Sequence, residues 1–99
     1  MPVNFQFEDR ETGEAKLLYD IDNEICEYLG VRPDPHRYNG MYDLIVMTGI
    51  GFLSNYGGSE IEDEDALKEY LDGREHLTQA DKDVMVEFLF TWYRFKAWR

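Results

Sequence analysis

Carboxylates are the most abundant reactive groups in this chain, with 21 Asp and Glu against 10 Lys and Arg, two histidines and one cysteine. Glu24 and Glu27 stand three positions apart, close enough to meet on a helix. Acid and base roles follow only where a cleft gives each carboxylate a different environment. The sequence supplies no such cleft, and a solvated charged face accounts for the spacing. Cys26 has no histidine near it in sequence, so a nucleophilic pair with His36 or His76 depends wholly on folding, and a small buried cysteine is the commoner use of the residue. One cysteine and two separated histidines also miss the local spacing of a structural zinc site. The acids of Glu60 to Asp65 lack the glycine and later bidentate glutamate of a calcium-binding EF-hand loop. Gly49-Ile50-Gly51 lacks the third glycine and the βαβ surroundings of a dinucleotide-binding turn. The chain therefore reads as non-catalytic, with no metal or organic cofactor.

The remaining chemistry is electrostatic. The formal charge of −11 sets the average surface field against a bare DNA or RNA backbone, so direct nucleic-acid binding is not expected. Seven acids and one lysine fall between Glu60 and Asp72, the strongest local asymmetry. Acids in a first helical turn favour the helix N-terminus, but Asp65, Glu69 and Asp72 extend beyond it. Side chains three or four positions apart on a helix have Cβ atoms roughly 5–6 Å apart, comparable with the spacing of phosphates along one strand. Glu60, Glu64, Asp65, Glu69 and Asp72 are accordingly the expected contacts to a basic protein surface, with Tyr56 and Tyr70 as aromatic anchors at the margin. The expected function is an acidic protein-binding regulatory module, including inhibition of a nucleic-acid-binding protein by occlusion of its basic groove. The alternative is a structural or assembly subunit, a homo-oligomer or part of a protein complex, with Trp92, Tyr93, Phe95 and Trp98 in a symmetric interface.

An α+β fold is expected to position these residues: an N-terminal antiparallel hairpin packed against approximately four helices. Val3, Phe5 and Phe7 alternate with polar residues as a half-buried strand does, and Glu14 to Tyr19 returns with Ala15, Leu17 and Tyr19 on one face. Leu17 and Leu18 also suit the start of a helix instead. Asp20 or Asp22 can cap a helix ending at Gly30, with Ile21, Ile25, Tyr28 and Leu29 inward. Pro33 and Pro35 mark a loop. Asn39 starts the next element, a buried helix from Met41 to about Thr48 with an irregular continuation. Ser59 and Glu62 have capping-box spacing ahead of a helix ending near Gly73. Thr78 and Asp81 start a C-terminal core helix at Gln79, whose apolar residues from Val84 to Ala97 cover roughly two thirds of its circumference at about 100° per residue. Asp83, Glu87, Thr91 and Arg94 share the polar arc. Trp98 falls on that arc too and joins the core only if the helix ends or bends first. Arg94, Lys96 and Arg99 suit the negative end of such a helix.

Residues 1–99 fit one domain with one core, and 43% hydrophobic and 15% aromatic content argues against disorder despite the charge. MPVNFQF has neither the basic region nor the apolar run of a secretory signal, and no stretch resembles a membrane span. A lone cysteine is consistent with a reducing compartment, so a cytoplasmic location is expected.

Overall fold

The alternating run at Val3–Phe7 forms the central strand of the sheet. In the computed structural model, which describes residues 3–33 and 40–99, β1 (Asn4–Asp9) lies between β2 (Ala15–Lys16) and β3 (Tyr93–Trp98), antiparallel to both. Helices α1 (Leu18–Leu29), α2 (Gly40–Tyr56), α3 (Glu64–Asp72) and α4 (Gln79–Val86) complete an α+β fold among the described residues. The expected helix start at Asn39 lies outside them, as do Pro35 and His36.

The β1–β2 turn follows its side-chain chemistry. Asp9 accepts backbone N–H bonds from Glu11 (2.8 Å) and Thr12 (3.0 Å), and Gly13 takes a φ of 77°. Such an Asx-type turn satisfies local donors, and glycine adopts positive φ without a Cβ clash. The return strand is only two residues long, shorter than the sequence pattern implies. Leu17 and Tyr19 are exposed, and α1 begins at Leu18 with no side-chain cap rather than at Asp20 or Asp22. The competing helix therefore wins, and β1 gains its long partner from the other end of the chain. Gly30 ends α1 as expected, with φ 72° and its N–H on the Cys26 and Glu27 carbonyls. Ile21 and Ile25 face inward, but Asp22 and Cys26 are buried where Tyr28 and Leu29 were expected.

The C-terminal core helix exists but is shorter than its apolar run. Its start is as expected: Thr78 accepts from the Asp81 N–H and Asp81 from the Thr78 N–H, each at 3.1 Å. The helix then loosens into a π segment at Glu87–Thr91, and the chain turns into β3. Trp92 donates its N–H to the Glu87 carbonyl at 2.8 Å, the i to i−5 bond of a π turn. Val84, Met85, Phe88 and Leu89 are all fully buried. Burying each such side chain is worth about 1.5–3 kcal/mol. Beyond Trp92 the period changes from helical to two: Tyr93, Phe95 and Ala97 point to the core while Arg94, Lys96 and Trp98 lie on the outer face. The helix thus ends before Trp98, which is why that residue stays outside the core.

Arg10 secures this junction. Its N–H meets the Trp92 carbonyl at 3.1 Å, its Nε donates to the Phe90 carbonyl at 2.8 Å, and its guanidinium carbon lies 4.8 Å from the Phe90 ring centroid. Carbonyls left at a helix end need such donors.

Helix α2 runs unbroken through Gly49 and Gly51, past the expected stop at Thr48. Packing explains the difference: a Cβ on Gly49 would lie 2.6 Å from the Phe95 ring and 2.9 Å from Leu89, so the missing side chain lets α2 approach β3 and the π segment. Tertiary contact here overrides the weak helix propensity of glycine.

Candidate partner-binding groove

The stretch Glu60–Asp72 does not form one acidic helix. Ser59–Ile61 instead extends along the edge of β3, with Ala97 N–H on the Ser59 carbonyl (2.9 Å) and Ile61 N–H on the Phe95 carbonyl (3.2 Å). This use of the backbone removes Ser59 from capping, and Asp63 caps α3 by accepting from the Ala66 N–H at 3.1 Å. Glu60 consequently lies beside β3, 3.4 Å from Arg94 and 3.8 Å from Lys96, while Glu8 reaches Lys96 at 3.0 Å. These pairs give Arg94 and Lys96 their neutralising partners, in place of the helix end that the sequence suggested.

The other expected contacts separate around α3. Asp65 and Glu69 are exposed, whereas Glu64 and Asp72 line a cleft of about 610 Å³ between α3, α4 and the π segment. Tyr56 and Tyr70 are on a different flank, where both rings pack with Phe52 at centroid distances of 4.6 and 5.6 Å, and Arg74 donates to the Tyr70 hydroxyl at 3.1 Å. The structure therefore does not bring all seven residues together. Val86 and Tyr28 give the cleft apolar surface over the buried Leu71, and Lys68, Gln79, Lys82, Asp83, Glu87 and Thr91 supply most of its polar lining.

Charge in this groove is unevenly compensated. Lys68 pairs with Glu64 at 2.7 Å and Lys82 with Asp72 at 3.3 Å. The hydrogen bond to Glu64 and that carboxylate's charge raise the Lys68 pKa. Both lysines are thus committed to the α3 side. Asp83 accepts only an amide bond from Gln79 at 2.9 Å, and no cation among the described residues pairs with Asp83 or Glu87. Sequence reasoning did not select Asp83, Glu87 or Tyr28 as contacts, although it placed Asp83, Glu87 and Thr91 on one polar arc. That i, i+4, i+8 recurrence opposite an apolar face was the usable signal.

The sites weighed for chemistry lie elsewhere. Cys26 is buried in α1 and His76 is exposed in the turn after α3. Glu24 lies 3.8 Å from Lys16, and burial raises its pKa against the opposing pull of that lysine. No group of three or more His, Cys, Asp and Glu among the described residues is arranged to hold a metal ion, and no described helix is long and apolar enough to cross a membrane. The aromatic interface expected from Trp92, Tyr93, Phe95 and Trp98 is not one surface: Tyr93 and Phe95 are buried, and of the two exposed tryptophans Trp92 precedes β3 while Trp98 is its last residue. Comparison with protein-family models, curated proteins and solved structures finds no match.

Proposed function

We propose that the chain is an acidic protein-binding regulatory module whose α3–α4 groove docks on a basic surface of another protein. The observation that carries this reading is the groove's charge imbalance. Its two lysines are already paired, while Asp83 and Glu87, without a paired cation among the described residues, lie beside apolar surface from Val86 and Tyr28. Asp65 and Glu69, exposed on α3, extend the negative field beyond the groove. Complementary fields accelerate encounter, and apolar contacts within the groove supply short-range selectivity. A nucleic-acid-binding surface is a suitable basic target, and covering it inhibits by occlusion without chemical turnover. We place the encounter in the cytoplasm, where a chain with one buried cysteine is at home.

The test is capture from nuclease-treated lysate on the immobilised protein, with elution by increasing salt. A basic protein retained without nucleic acid and released by salt supports docking. Retention of no basic protein, or only of a partner that resists salt, contradicts it.

A further inference from the structure

Asp83 and Glu87, with which no cation among the described residues pairs, line the groove with Tyr28, and Trp92 packs on Tyr28 just outside that lining. Asp83, Glu87 and Thr91 succeed one another along α4 and the π segment, and Tyr28 reaches the same wall from α1. Tyr28 contacts Trp92 edge-on at 5.4 Å between centroids and Phe88 at 5.9 Å, while Trp92 meets Phe88 at 5.0 Å. Phe88 is fully buried and supports the other two rings, which are 44% and 41% exposed. Aromatic side chains held in this way lose little conformational freedom when a partner covers them.

Resting on the proposed docking role, we infer that this corner is a specificity site for an arginine side chain on a basic segment of the partner protein. Ring faces and carboxylates attract any cation, but together they favour guanidinium. It is planar and weakly hydrated, stacks on an aromatic face, and can donate to a carboxylate at the same time. Lysine's compact ammonium is more strongly hydrated and cannot make the same forked contact. The chain's own nearby cations are engaged: Lys68 with Glu64 one turn away on α3, Lys82 with Asp72 across the groove, and Arg10 with the Phe90 carbonyl. Glu87 and Asp83 pair with the incoming guanidinium, and Tyr28 with Trp92 provides its stacking surface.

Two blocked peptides that differ only in carrying three arginines or three lysines test the assignment. Each is titrated into the full chain by calorimetry and by NMR, following the indole N–H signals of Trp92 and Trp98. The arginine peptide should bind about fivefold to tenfold more tightly and perturb Trp92 rather than Trp98. Asp83→Asn with Glu87→Gln should weaken it by about tenfold. Tyr28→Leu should abolish the preference for arginine, and Tyr28→Phe should retain it; unchanged circular dichroism and melting identify the variants as folded. Equal affinities for the two peptides, no binding by either, or a perturbation that misses Trp92 would overturn the arginine site. Capture of a basic protein through the groove without arginine preference would leave the docking role standing and remove only this inference.

Discussion

Arg10 shows how one side chain can govern a change of secondary structure. Its guanidinium meets the Phe90 carbonyl just before the chain enters β3, and it also lies over the Phe90 ring. Arg10→Ala should therefore destabilise the protein by about 1.5–3 kcal/mol in chemical denaturation, the range for a hydrogen bond to a charged group. Arg10→Lys should recover only part of that loss, because an ammonium does not reproduce the planar contact. Two carboxylates give opposing acid responses. Backbone N–H bonds from Thr12 and then Glu11 hold Asp9 below its ordinary value of 3.8, whereas burial lifts Glu24 above 4.5. A lowered folded-state pKa contributes stability above the unfolded value and loses it as pH falls through the folded one; a raised carboxylate pKa has the reverse sign. Asp9→Asn should flatten the acid-side loss of stability, and Glu24→Gln should steepen it. Denaturation midpoints measured from neutral pH down through these pKa values check both directions.

Among the elements, the approach of α2 to β3 gives a prediction whose sign runs against helix propensity. Alanine normally improves a helix over glycine by roughly 1 kcal/mol, but a Cβ at Gly49 would press into Phe95 and Leu89. Gly49→Ala should cost about 1–3 kcal/mol in thermal or chemical unfolding, as overpacking does. Thr78→Ala should cost about 1 kcal/mol by removing half of the α4 capping box. These elements also mark what was legible in sequence. Local signals located β1 by alternation, the end of α1 by Gly30 and the start of α4 by Thr78 and Asp81. The end of α4 was masked because the apolar run Phe88–Leu89–Phe90 continues into Tyr93-Arg94-Phe95-Lys96-Ala97-Trp98, whose alternation is the actual strand signal. Glu60 was misplaced because its spacing from Ser59 to Glu62 resembles a cap, whereas its backbone joins β3, a strand distant in sequence. The groove required α1, α3, α4 and the π segment to meet, and no local spacing records that meeting.

At the scale of the whole molecule, a charge of −11 makes the average surface field negative, and the proposed docking uses that field through the groove. The outer sheet face is different in character: Glu8 and Glu60 neutralise Lys96 and Arg94 there, so it should contribute less to steering. Screening over about 8 Å at physiological salt should slow association as ionic strength rises. Stopped-flow association rates at several salt concentrations should fall more steeply for the wild type than for Asp83→Asn/Glu87→Gln. The most direct measurement compares capture of lysate proteins by the wild type and by a folded variant carrying Glu64→Gln, Asp72→Asn, Asp83→Asn and Glu87→Gln. The expected result is a basic protein held by the wild type, released by salt, and lost from the variant. Equal retention of that protein by both, or its release from neither by salt, would contradict docking through the acidic groove.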